Sequence, residues 1–213
     1  MIVGLLGFIG SGKGTVASQL VDKYSFRQDS FATSLKDACA YLFDWPRNLL
    51  EGDTAESRAW REIPDQWWSD KLKIPNFSPR LALQLIGTDA LRTHFNEDLW
   101  FITVENRIRK NPGQNVVISD VRFPNEIKFI REQGGILVRI DRGAQPVWYE
   151  TALMANNGNS LAKNIMIKTY HDAHYSEWAW VGSNVDFVID NSATVAQLDY
   201  QISNIIQSIS QDA

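Results

Sequence analysis

Gly7-Phe8-Ile9-Gly10-Ser11-Gly12-Lys13-Gly14-Thr15 is the stretch on which the fold of this 213-residue chain turns. It follows an apolar run at residues 1–6 and precedes a segment in which Val16, Leu20 and Val21 share one helical face. Strand, glycine loop and helix in that order form the context in which a loop cradles phosphate. Glycines let successive backbone N–H groups converge on phosphate oxygens, and the start of the helix adds positive potential. Gly10, Ser11, Gly12, Lys13, Gly14 and Thr15 are therefore expected around a triphosphate such as ATP, with Lys13 reaching its β- and γ-phosphates. A hydroxyl beside such a loop helps to hold Mg²⁺ through oxygen contacts. Ser11 and Thr15 both qualify, and we assign the ion to Thr15.

Outward from the loop, the spacing predicts helix over residues 15–24, a short strand over 26–31 and helix over 34–43, closed by Trp45-Pro46. Residues 44–79 differ in kind: they are charged, rich in tryptophan and broken by Pro46, Pro64, Pro75 and Pro79. They read as an insertion carrying one or two short helices. Leu81, Leu85 and Ile86 mark one helix, and Leu99, Ile102 and Ile108 mark another over 97–110. Asn115-Val116-Val117-Ile118-Ser119-Asp120 is a buried parallel strand ending in a carboxylate. Helix over 124–133, strand over 136–140, a polar irregular stretch over 141–181, strand over 185–189 and helix over 196–209 complete the chain. Five strands alternating with helices predict a three-layer α/β/α fold around a parallel sheet. We expect one domain, with its core at 1–43, 80–141 and 182–213, the insertion at 44–79 and a lid at 142–181.

Composition narrows the function. The chain is 44% hydrophobic and 22% charged, with a net charge of -4. Cys39 alone forms no internal disulfide and no multi-cysteine zinc site, which points to a reducing compartment. His94, His171 and His174 are the only histidines, too few for a His-rich centre. The first apolar run lacks a basic start and a cleavage site, and no run nears the ~20 residues of a membrane span. The acidic balance disfavours a dedicated nucleic-acid binder. The expectation is a cytoplasmic protein that engages neither membrane nor nucleic acid.

Asp120 ends its strand where parallel sheets place their ligands, so it is a candidate to hold a magnesium-bound water or orient an acceptor; capping of the next helix is the alternative. Arg122, from the same loop, is a planar fork of donors beside the phosphate site. Arg142 after the next strand, and Asn191 after the last, face the same edge. Asn191-Ser192-Ala193-Thr194 equally reads as a helix N-cap.

The loop pattern Gly-x-x-Gly-x-Gly-Lys-Gly-Thr resembles that of adenylate kinase and related nucleoside monophosphate kinases, and no Asn-Lys-x-Asp guanine motif is present. Further blocks extend the likeness: Phe31-Ala32-x-x-Leu35-Lys36-Asp37-Ala38, Leu83-Gln84-x-x-Gly87-Thr88-Asp89 with Arg92, Asp98-x-Trp100, Asp120-Val121-Arg122, Arg142-Gly143, His174-x-Ser176-Glu177 and Asp186-Phe187-Val188-Ile189-x-Asn191. In that order and spacing they resemble the phage deoxynucleoside monophosphate kinases of the T-even type. The resemblance implies a P-loop NTPase-type fold with an acceptor-binding insertion and a lid. It implies transfer of the ATP γ-phosphate, with Mg²⁺, to a deoxynucleoside monophosphate in phage DNA precursor synthesis, in the host cytoplasm. Within it, Lys13, Asp120, Arg122 and Arg92 are the candidate catalytic residues. Lys36, Asp89 and Arg92 would serve the acceptor, and Trp60 and Trp68 would stack on its base or else pack the insertion's own core. His174-Tyr175-Ser176-Glu177 reads as a lid contact or a cap. Two other readings stay open: a kinase of another small phosphorylated or hydroxyl acceptor, and a nucleotide-dependent ATPase or switch. Monomer and homodimer are equally open.

Overall fold

The computed structural model describes residues 1–211. The chain divides into two compact units, one made of Met1–Ser30 with the chain from Asn111 onward, the other of Phe31–Lys110. The first unit holds the sheet. Its strands are β1 (Ile2–Leu6), β2 (Arg27–Asp29), β3 (Val116–Ile118), β4 (Ile136–Asp141) and β5 (Phe187–Asp190). All pairings are parallel, in the order β2-β3-β1-β4-β5.

Central β1 is buried along its whole length, so its side chains alternate between two covered faces. Val3 and Leu5 pack with Val16, Leu20, Leu198 and Ile202, which belong to α1 (Lys13–Tyr24) and α11 (Val195–Gln211). The opposite face meets α7 (Pro124–Glu132), and there the fit requires a glycine: a Cβ on Gly4 would stand 2.5 Å from Ile130 Cδ1. Helices on both faces give the three-layer arrangement. Residues 141–181, expected to be irregular, instead include the end of β4 and carry α8 (Tyr149–Asn156), α9 (Ser160–Lys168) and α10 (Tyr175–Trp178). They bury Ala152, Ala155, Ala162, Met166 and Trp178. Their apolar faces are mostly alanine, which gives a weak periodic signal; Gly158 at φ 90° stops α8, and Asn159 caps α9 by accepting from Ala162 N.

The second unit contains α2 (Thr33–Phe43), a 3₁₀ turn at Arg47–Leu50, α3 (Ala55–Glu62), α4 (Gln66–Leu72), α5 (Pro79–Gln84) and α6 (Leu99–Lys110). The helix expected around Leu81 to Ile86 continues as a π-helix over Leu85–Phe95. Two contacts explain the wider turn. Gly87 lies against Leu35, where a Cβ would meet Cδ2 at 2.4 Å, and its carbonyl accepts a 2.9 Å bond from the Trp100 indole. An inserted donor of this kind disturbs the regular ladder, and such π segments recur at functional sites. Among the described residues no helix is long and apolar enough to cross a membrane.

Candidate active site

The glycine loop joins β1 to α1, and its geometry is set by glycines that no other residue can replace without strain. Gly7 has φ 144°, and a Cβ there would lie 2.4 Å from the Ile140 carbonyl oxygen. Gly12 caps α1 at φ 96°, close against Asn191, whose Nδ2 donates to Ser11 O at 2.8 Å. The Asn191 side chain thus braces the loop, a contact between residues 180 apart in sequence. Thr194, not Ser192, caps α11: its hydroxyl accepts from Gln197 N, and Gln197 accepts in return from Thr194 N.

Lys13 Nζ donates to Gly7 O at 2.8 Å and Phe8 O at 2.9 Å. Burial depresses its pKa to about 8; the Arg122 charge pushes the same way, while Glu177 and Asp120 oppose it. Lys13, Arg122, Glu177 and Asp120 therefore form one electrostatic group within the first unit. Of the two hydroxyls, Ser11 is 4% exposed with its Oγ unpartnered, whereas Thr15 is open to solvent.

Asp120 Oδ2 accepts from Ser30 Oγ at 2.7 Å, and Glu126, 3% exposed, caps the start of α7, its Oε2 accepting from Arg122 N and Phe123 N at 2.8 and 3.0 Å. A glutamate three residues into a helix that starts at proline is half of a capping-box signature, and it was the signal for this contact. Glu126 fixes the backbone of Arg122, and α10 fixes its side chain. Nη1 reaches Glu177 Oε1 at 2.5 Å and Ser176 Oγ at 3.3 Å, and His174 Nδ1 lies 2.8 Å from Ser176 Oγ. The His-Ser-Glu segment is thus both a cap and a clamp on Arg122, linked to it across 55 residues. Arg142 is exposed. Glu177→Gln should loosen the hold on the Arg122 side chain by removing the ion pair and lower kcat about tenfold at unchanged thermal stability; equal loss by Glu177→Gln and Glu177→Asp, or none by either, argues against orientation as its role.

In the second unit, Lys36 is 12% exposed along its side chain and donates to Glu51 Oε2 at 2.6 Å. Arg47 pairs with Glu51 and with Asp37. Burial would raise the Glu51 pKa, but bonds from Lys36 and Arg47 outweigh it and hold the group below its usual range. Lys36 is therefore engaged internally, and Lys36→Ala should cost about 1 kcal/mol in a denaturant melt. Asp89 and Arg92 both lie on the π-helix, Asp89 exposed and Arg92 half-buried. Trp60 packs edge-on to Trp45 and Trp68 edge-on to Phe43, with the Trp68 indole donating to Phe43 O. These two tryptophans serve the unit's own aromatic cluster, with buried Phe77 and Trp45 at its centre.

No protein-family model matches the chain. It is 38% identical over 156 residues to a protein of Acanthamoeba polyphaga mimivirus described as a putative deoxynucleotide monophosphate kinase, covering 67% of this chain and 74% of the relative. It is 30% identical over 186 residues to the deoxynucleoside-5'-monophosphate kinase of Escherichia phage T5, covering 62% and 72%. Among solved structures, shikimate kinase from Aquifex aeolicus aligns over 100% of this chain and 98% of its own, at 14% identity and a TM-score of 0.48. A glycine loop on a five-stranded parallel sheet, cations gathered at its edge and two viral relatives of one description lead to a single assignment: the chain belongs to the deoxynucleoside monophosphate kinase family.

Proposed function

We propose that the chain transfers the γ-phosphoryl group of ATP to a deoxynucleoside monophosphate, giving the diphosphate and ADP. The observation that carries this reading is the convergence of Lys13, Arg122 and Asp120 at the carboxyl edge of β1 and β3 beside the braced glycine loop. Phosphoryl transfer asks the protein for alignment and charge stabilisation, with little covalent work of its own. Gly10, Ser11, Gly12, Lys13, Gly14 and Thr15 would take the donor phosphates, with Asn191 holding the loop. Lys13 and Arg122 would stabilise charge on the moving group. Arg92, Asp89 and, after release from Glu51, Lys36 are the acceptor-side candidates, Arg142 a further cation, and residues 142–181 the lid.

Thr15 and Asp120 present hard oxygen donors that fit Mg²⁺. Among the described residues no cluster of three His, Cys, Asp or Glu would hold a metal by itself. That suits an ion carried largely by triphosphate oxygens and one or two protein ligands. When bound, Mg²⁺ supplies neutralisation of phosphate charge; Asp120, braced by Ser30, would orient it.

The test is a panel of ATP with each common nucleoside monophosphate, deoxy and ribo, reading ADP formation. Turnover confined to another class of acceptor would replace the reading. Asp120→Asn should lower kcat by about a hundredfold or more while metal-free ATP binding is unchanged. An undiminished rate in that variant would remove Asp120 from the site.

A further inference from the structure

A cavity of about 330 Å³ lies in the first unit where α8, α9 and α10 meet the start of α7. It shares no lining residue with the glycine loop, and its size falls within the roughly 300–1,000 Å³ of small-molecule sites. Its wall is fixed by packing. Asn156 Nδ2 donates to Trp178 O and to Val181 O, both at 2.8 Å, and so pins the end of α8 to the turn that follows α10. Gly182 in that turn has φ 84°, and a Cβ there would meet Leu153 Cδ1 at 2.6 Å. The Tyr175 ring packs on Trp178 at 4.7 Å and on Phe123 at 5.9 Å.

Charge defines the class of ligand. Of the described residues lining the cavity none is Asp or Glu, and Lys163 brings a positive charge. Elsewhere in this unit Lys23, Arg122, Lys128, Arg131 and Arg139 each face a carboxylate. Among the described residues the Lys163 ammonium faces none. The Tyr175 and Ser183 hydroxyls and the Asn157 amide line the same space, and none of these side chains is hydrogen-bonded to another described group. Uncommitted donors around one cation suit an oxyanion. Ala155, Trp178 and Val181 line the rest and offer apolar surface to the body of a small molecule.

The cavity has a physical link to the cations of the active site. Tyr175 and Trp178, three residues apart on α10, line it, while Ser176 and Glu177 between them hold Arg122. A helix of four residues thus carries the cavity wall on one face and the Arg122 clamp on the other. A ligand that fixes one face of so short an element restricts the other. We propose that this cavity is a second anion site, taking a small molecule that bears a phosphate or carboxylate group, and that α10 passes its occupancy to Arg122. The site is independent of the kinase reading above; its effect on turnover rests on that reading. Since a held Arg122 favours transfer, occupancy raises kcat.

The probes are inorganic phosphate and acetate, titrated into nitrogen-15-labelled wild type and Lys163→Gln, a change at an exposed side chain. The backbone amides of Asn157, Gly182 and Ser183 report the cavity, and those of Gly10 to Gly14 report the glycine loop separately. Saturable shifts at the cavity amides with either probe, about tenfold weaker in Lys163→Gln while the loop titrates as before, support the site. Which probe acts assigns the group it takes. No saturable shift with either probe, or shifts that survive the substitution, overturn it. With ATP and acceptor saturating, the active probe should raise wild-type kcat about threefold and leave Lys163→Gln unmoved. No change, a fall, or an equal change in both proteins overturns the link through α10. A wild type that turns over no nucleoside monophosphate overturns the kinase reading instead. The Arg122 Nε–H signal in the same spectra then decides: movement with the cavity amides in the wild type alone supports the link, and a signal that stays still, or moves equally in both proteins, overturns it.

Discussion

Lys13→Met is expected to lower turnover on the order of a thousandfold, the usual scale for removing a preorganised positive donor from a transferring group. The same change should make the protein more stable at pH 7. Burial and the Arg122 charge bring the Lys13 pKa from 10.5 to about 8, a penalty on the charged form of about 3 kcal/mol. The sign follows from proton counts. The folded-state pKa lies below the unfolded one, so between pH 8 and 10.5 the unfolded chain binds more protons. The penalty is fully present below pH 8 and is relieved as pH rises towards 10.5. Methionine removes it at the cost of the bonds to Gly7 O and Phe8 O, leaving a net gain of about 1 kcal/mol. Thermal melts at pH 7 and 10 check this: the variant should lead at the lower pH and lose its lead at the higher. Catalysis carries the same signature. In the wild type kcat/KM for ATP should fall above pH about 8, while kcat should hold to higher pH, since bound phosphates keep the ammonium charged. Arg122→Ala should move the first limb up, because a repelling charge is gone. A limb unmoved by that substitution would separate the two cations.

Gly7→Ala should be the most damaging of the glycine substitutions. The residue has φ 144°, and the new methyl would lie 2.4 Å from the backbone oxygen of Ile140, which cannot swing away as a side chain can. Strain and clash together should cost about 3 kcal/mol or more and displace the loop from β4. Gly14→Ala is the control: it lies one residue into α1 at ordinary φ, with nothing within 4 Å of the added methyl. Its stability should match or slightly exceed the wild type by helix propensity. If chemical denaturation ranks the two alike, close packing of Gly7 against β4 is not what shapes the loop.

The sheet was legible because β1 and β3 are buried on both faces and read as unbroken apolar runs, while Pro46 and Pro124 marked helix ends. The glycine loop was legible because its glycines stand at fixed spacing between an apolar strand and a helix. What escaped was made by distant partners. Ser30 on Asp120, Asn191 on Ser11 and Glu177 on Arg122 join residues 90, 180 and 55 apart. Only the folded sheet brings them together, so no window of sequence displays them. The π-helix escaped for a related reason: its cause, the Trp100 indole on Gly87 O, lies 13 residues downstream. Trp60 and Trp68 stood out by residue type, and both, half-buried, take part in their unit's aromatic cluster.

The order of strands in the sheet has a consequence for how the polypeptide is made. β1 emerges first, yet its neighbours are β3, beginning at Val116, and β4, beginning at Ile136. Until the chain has been synthesised past Val116, Ile-Val-Gly-Leu-Leu has no strand to bond with and stays an apolar segment of the nascent protein. Closing so long a loop is slow relative to local helix formation. At roughly 5–20 residues per second, the ribosome alone imposes a delay of several seconds. The glycine loop that follows β1 is therefore among the last parts of its unit to take shape, and a nascent chain halted before Val116 should bind no ATP.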